Sequence, residues 1–219
     1  MKYGAQDAQA QEKYWKSSTG LFRLTFSKPI EDRNATKDNI KQAKSFLEQT
    51  GVNDMVVVFL AGHGALDSKG KYYFGTWNID LGKPEQNGLA YEDILGLLDG
   101  ISARRKLLLI DTCYSGTPDD GLLQSIFADL SRGTGAEVIA AANQSQMAME
   151  ANEFNGGLFT HAVLEGLKGL ADADADGRVT ISELREYVIA RVELLSHGRQ
   201  KASVRAENVV QDFALSMKH

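Results

Sequence analysis

The stretch 106–116, Lys-Leu-Leu-Leu-Ile-Asp-Thr-Cys-Tyr-Ser-Gly, decides how the rest of the chain is read. Its apolar run, Leu107 to Ile110, follows Arg104, Arg105 and Lys106 and gives way to Asp111 and then Gly116. An uninterrupted run of this kind suits a strand buried on both faces of a parallel sheet. Such strands aim their C-terminal ends at the crevice where open α/β sheets bind ligands. Cys113, the one cysteine of the chain, therefore falls where chemistry is usually done. A lone cysteine is more often a small buried hydrophobe, so its role depends on its companions.

The first companion is His63. Met55-Val-Val-Val-Phe-Leu60 is a second buried strand pattern, and it runs straight into Gly62-His63-Gly64. Adjacent parallel strands would bring His63 and Cys113 to one edge of a sheet. An imidazole beside a thiol promotes its ionisation and later gives a proton to the leaving group. The flanking glycines are read as letting backbone approach a substrate, with the N–H groups of Gly64 and Cys113 as an oxyanion hole. His161 falls inside an amphipathic helix pattern, and His197 and His219 in polar ends.

Composition excludes several function classes. With 219 residues, 43% hydrophobic and 24% charged, and no Pro/Ser-rich linker, the chain reads as one globular domain. A net charge of −5 offers no basic footprint for nucleic acid, and the small basic clusters at 104–106 and 199–205 read as solvated faces. No apolar run approaches the roughly 18 residues of a membrane span. The first twenty residues lack a signal-peptide core, and one cysteine forms no intrachain disulfide, which together predict a cytoplasmic protein.

The remaining pattern alternates strands with helices. Helices are predicted over 4–18, which is polar and alanine-containing with no strong stripe, from Thr36 or Asp38 to Gln49, and over 91–98, 122–130, 158–170 and 181–195. Strands are predicted at Leu21–Phe26, 55–60, 71–74, 107–110, 137–142 and 207–215, with polar loops at 78–88 and 143–156. This order predicts an α/β fold, a mostly parallel central sheet with helices on both faces.

The pair Val56 to Gly64 and Asp111-Thr-Cys-Tyr-Ser-Gly116, some fifty residues apart, resembles the caspase-like cysteine peptidases. Caspases proper carry Gln-Ala before the cysteine. Here Asp111 and Ser115 resemble instead the metacaspase, paracaspase and bacterial caspase-like branch, with Asp-x-Cys-x-Ser-Gly. Gly157-Leu-Phe-Thr160 is similar to the small-subunit segment of that branch. The resemblance implies a three-layer caspase-like domain over 1–219, large-subunit-like to 133 and small-subunit-like from 134. It also implies an acidic S1 pocket for Arg or Lys, with Asp111 and Asp7 matching the pocket acids and Asp80 a further pocket or calcium-associated acid. Ala61 stands where relatives often have Ser. The first apolar strand of such domains has no counterpart here, so an upstream domain or a partner chain is expected to supply it. Arg132, before Gly133, is a candidate self-cleavage point in a segment that reads as helical, which favours an uncleaved chain.

A separate motif occupies 172–183, Asp-Ala-Asp-Ala-Asp-Gly-Arg-Val-Thr-Ile-Ser-Glu. It fits the EF-hand loop: Asp172, Asp174 and Asp176 offer carboxylates, Arg178 its carbonyl, Thr180 a direct or water-mediated contact, and Glu183 a bidentate carboxylate. Ca2+ is the expected ion, and the loop stands alone rather than in a pair. The function expected is thus a cysteine endopeptidase acting on protein chains with basic P1 residues. The alternative is a non-catalytic, calcium-responsive interaction module of the same fold.

Overall fold

The structure is a computed structural model that describes residues 4–17, 20–114, 120–143, 156–198, 201–203 and 212–217. Three long strands form its centre. β1 (Met55–Leu66), β4 (Arg105–Tyr114) and β5 (Glu137–Asn143) run parallel, in register over Met55–Gly64 against Arg105–Tyr114 and over Leu107–Cys113 against Glu137–Asn143. Short antiparallel strands flank them: β2 (Tyr72–Phe74) and β3 (Leu89–Ala90) on one side, β7 (Lys201–Ser203) on the other, in the order β3-β2-β1-β4-β5-β7. The long ladders are parallel, as the apolar runs predicted.

β4 is central because helices cover both of its faces. Leu107, Leu108 and Leu109 have no exposed surface and Ile110 only 1%. Alternation splits them between two cores. Leu108 and Ile110 pack with α2 (Lys37–Gln42), α3 (Lys44–Leu47), α5 (Tyr91–Leu98) and α6 (Asp120–Thr134), through Ile40, Leu47, Ile94, Leu98 and Leu130. Leu107 and Leu109 pack with α1 (Gly4–Ser17), α7 (Leu158–Glu165) and α8 (Ile181–Leu195), through Trp15, Phe159, Val163, Leu184 and Val188. The result is three layers, helix, sheet, helix. Glu165 ties α7 to α8, accepting from Arg191 Nε at 2.8 Å and Nη2 at 3.1 Å. His161, also on α7, reaches the same carboxylate at 3.3 Å.

Several boundaries differ from the sequence pattern, each for a physical reason. Leu21–Phe26 is not a strand: it has no ladder partner among the described residues, and Leu24 and Phe26 are 66% and 77% exposed. Alternation marks a strand only where a neighbour supplies hydrogen bonds and cover. The helix expected up to Gln49 is divided at Ala43, where Ala43 N–H and Phe46 N–H donate to the carbonyls three residues back. β1 continues six residues past Leu60, so His63 lies within the strand rather than after it. The loop 78–88 holds a short helix, α4 (Pro84–Asn87). α7 ends at Glu165 and gives way to a π-helical turn, Gly166–Leu170, in which Gly169 has φ 107°. The loop 143–156 lies almost wholly outside the described residues, as does most of the strand expected over 207–215; β8 (Ala214–Met217) is found at its end, paired with β6 (Arg178–Thr180). No helix of the described residues is long and apolar enough to cross a membrane.

Because Leu109 is fully buried beneath α7 and α8, Leu109→Ala should lower stability by about 2–5 kcal/mol in urea unfolding.

Candidate active site

The site is assembled at the C-terminal ends of β1 and β4. In the parallel register His63 pairs with Cys113, Gly62 with Thr112 and Ala61 with Asp111. Neighbouring strands lie about 4.8 Å apart, so the backbones at 63 and 113 are direct neighbours. The Cys113 side chain, with Ser115 and Gly116, falls outside what the structure describes. His63 is exposed by surface area, yet the atoms packed around its ring desolvate it enough to hold its pKa below the ordinary value. Its carbonyl accepts from Gly75 N–H at 2.6 Å, which pins β1 to the end of β2.

The glycines beside His63 have a packing reason. A Cβ on Gly62 would stand 2.9 Å from the Phe74 ring. One on Gly64 would stand 2.7 Å from the Tyr72 ring and 2.9 Å from Thr112 Oγ1. Tyr72 and Thr112 are buried and hydrogen-bonded to each other at 3.1 Å, on the face of β4 opposite Asp111. Cross-strand contact within the sheet thus gives both glycines a packing role.

The acids Asp7 and Asp111 meet in the interior. Asp7 on α1 is 2% exposed and Asp111 on β4 is 3% exposed. Both face Gly157, the residue before α7: a Cβ there would lie 2.9 Å from Asp7 Oδ2 and 2.9 Å from Asp111 Oδ2. Gly157 N–H donates to Asp7 Oδ1 at 2.9 Å, and Asp7 Oδ2 has no hydrogen-bond partner. Burial raises Asp111 to about 7, with the neighbouring Asp7 charge adding to it. Burial likewise raises Asp7 to about 6 against the lowering effect of the Gly157 N–H. Two carboxylates have been placed together in a buried seam with no ion-pair partner among the described residues, which is costly unless something positive or a proton joins them. Asp80 lies apart from this arrangement in its hydrogen bonding: it is exposed, and its Oδ1 accepts Gly82 N–H at 2.8 Å in its own turn.

Gly157, Gln11 and Thr160 were not legible as site residues. Asp7, Gln11 and Trp15, at spacing four, form the buried face of α1, so the helix has a stripe after all, made largely of polar residues. Gln11 Nε2 and Thr160 Oγ1 are buried without partners, as Asp7 Oδ2 is. The available signal was a polar i, i+4, i+8 stripe in a helix with no apolar one.

A strand-borne histidine in register with a cysteine, over a three-layer α/β frame, has a counterpart among known families. The chain matches the caspase domain over residues 5–214. It belongs to the caspase-domain family. No curated protein matches the chain significantly. Membership makes it a caspase-like cysteine peptidase by family, whose substrates are protein chains.

Elsewhere in this caspase domain, Asp172, Asp174 and Asp176 each bring one carboxylate oxygen within 4.8 Å of the others, an arrangement able to hold a metal ion. Gly177 adopts φ +83° and Ala175 φ 60°, which give the loop its tight turn. Thr180 Oγ1 accepts Glu183 N–H at 3.4 Å, and Glu183 Oε2 accepts Thr180 N–H at 2.8 Å, a capping box that starts α8. Glu183 Oε1 accepts Ala173 N–H at 2.9 Å, which closes the loop on itself.

The acid pair has a measurable signature. Folded-state values of about 6 and about 7 exceed the ordinary 3.8, so between these limits the folded chain holds protons that the unfolded chain has released. Stability therefore falls as pH rises through roughly 4 to 7, by an amount on the order of a few kcal/mol. Asp111→Asn should flatten this dependence and raise the thermal midpoint at pH 8, read by calorimetry across pH 5–8.

Proposed function

We propose that this caspase domain is a cysteine endopeptidase of the metacaspase-like branch that cuts protein chains after Arg or Lys. The observation that carries the proposal is the β1–β4 register, which pairs position 63 with position 113. In this reading the Cys113 thiolate attacks the scissile carbonyl carbon, and the N–H groups of Gly64 and Cys113 receive the developing oxyanion. His63 gives its proton to the departing amine as the C–N bond breaks. Water then hydrolyses the thioester, returning the thiol. An imidazole held below its ordinary pKa is neutral at pH 7 and able to take the thiol proton first.

The acid pair supports the basic P1 preference. Alternation assigns positions 111 and 113 to one face of β4, so a P1 residue held at Cys113 lies near Asp111. The guanidinium of Arg, or the ammonium of Lys, supplies the positive charge the pair lacks and displaces its proton. A planar fork also offers two parallel charge-assisted hydrogen bonds, which favours Arg.

We further propose that residues 172–183 bind Ca2+ through Asp172, Asp174, Asp176, Glu183, Thr180 and the carbonyl of Arg178, and that the domain is latent until calcium, an upstream domain or a partner chain activates it. Support for a partner strand comes from β1, which among the described residues has a ladder on its second side only at Gly64 to Leu66. The domain is read as one uncleaved chain with large- and small-subunit-like parts, 1–133 and 134–219. Arg132 favours this, since it sits within α6 and pairs with Asp129.

Cys113→Ala should abolish cleavage of Arg-containing peptides; survival of cleavage would remove the mechanism. Asp111→Asn should lower kcat/KM for an Arg substrate by at least about 100-fold, the scale of breaking a buried charge pair, while a neutral P1 substrate changes little. Equal loss on both substrates would refute the pocket assignment.

A further inference from the structure

The calcium loop is a single one, and the structure places a strand against it. β6, residues Arg178–Thr180, lies inside the loop and carries two of its proposed ligands, the Arg178 carbonyl and the Thr180 side chain. β6 pairs antiparallel with β8, Arg178 against Met217 and Val179 against Ser216, with an irregular step to Thr180 against Ala214. The segment around β8 is fastened to the second half of the loop at several further points. Asp212 Oδ1 accepts Ser182 N–H at 3.0 Å, and the Phe213 carbonyl accepts Ile181 N–H at 3.2 Å. Ser216 Oγ donates to the Leu167 carbonyl at 2.7 Å, and Leu215 has no exposed surface within the α7–α8 core.

The first half of the loop points to a ligand that is still to be satisfied. Asp172 accepts Gly177 N–H with Oδ2 at 3.2 Å, while its Oδ1 is buried and has no hydrogen-bond partner. A buried, unpartnered carboxylate oxygen within reach of two further carboxylates is unfavourable unless a cation joins them.

We infer that Ca2+ binding to 172–183 and docking of the C-terminal strand β8 are one linked equilibrium, with β8 bracing the ligand-bearing strand from outside. Docked β8 holds positions 178–180 extended, so the later ligands are already arranged when the ion meets Asp172, Asp174 and Asp176. By linkage, an ion that binds the arranged loop more tightly must strengthen β8 docking by the same factor. The inference rests on the calcium reading proposed above and adds the strand that completes the single loop.

The test uses the full chain, CaCl2 as the probe and MgCl2 as the comparison. Calorimetric titration gives affinity, and amide hydrogen exchange of residues 214–217 gives docking. Saturating Ca2+ should slow exchange in this strand at least tenfold, and Asp174→Asn should abolish both binding and protection. Leu215→Ala, which touches no ligand, should weaken Ca2+ affinity at least fivefold. If that variant does not fold, Ser216→Ala, which removes one fastening and no charge, should weaken it at least twofold. Ca2+ binding with unchanged β8 exchange, or unchanged affinity in folded β8 variants, overturns the linkage alone. No Ca2+ binding at all overturns the calcium reading and this inference together, and leaves peptidase activity, assayed separately, as its own question.

Discussion

The parallel ladder between β1 and β4 is the constraint from which the rest of the molecule follows. Ten consecutive residues pair at a constant offset, and a shift of one would turn every side chain of a strand to the opposite face. The register is held by two cores at once, since Leu107 and Leu109 serve one face while Leu108 and Ile110 serve the other. A slip would empty both. The position of His63 opposite Cys113 is thus secured in large part by the burial of leucines several residues away.

Against that rigid frame the acid pair is a deliberate conflict. Burial favours apolar groups, yet Asp7 and Asp111 occupy the seam between α1, β4 and α7, where Gly157 N–H donates to Asp7. Burial holds both carboxyls above their ordinary pKa, so the pair costs stability once it is ionised. The loop at 172–183 repeats this on a smaller scale, with Asp172 Oδ1 lacking a hydrogen-bond partner among the described residues. In both places the atom without a hydrogen-bond partner among the described residues is an acid oxygen.

Much of the frame was legible. Uninterrupted apolar runs located β1, β4 and β5, because a strand covered on both faces has no reason to alternate, and the EF-hand pattern located the loop before α8. The failures share a cause. Leu21–Phe26 alternates as a strand should, but alternation says nothing about whether a neighbouring strand is present to pair with it. α1 was read as lacking a stripe because its buried face carries Asp7 and Gln11 with Trp15, and hydrophobic periodicity cannot register a polar face that is buried. The packing role of the glycines around His63 was likewise invisible, because Tyr72 and Phe74, contributed by another strand, occupy the space their side chains would need.

What the sequence by itself determined is the set of elements, the family resemblance, and the candidacy of His63, Cys113, Asp111 and the 172–183 loop, since each depends on local pattern and spacing. Only the tertiary structure decided that Asp7 and Asp111 share one buried seam, that Gly157 stands between them, and that β8 pairs with β6 beside the acidic loop. These facts join residues about 45 to 150 positions apart in the first case and some 35 to 40 in the last, and no local periodicity carries them. They arise because packing two helical layers on a single sheet brings α1, β4 and α7 to one line and sets β8, near the end of the chain, against β6.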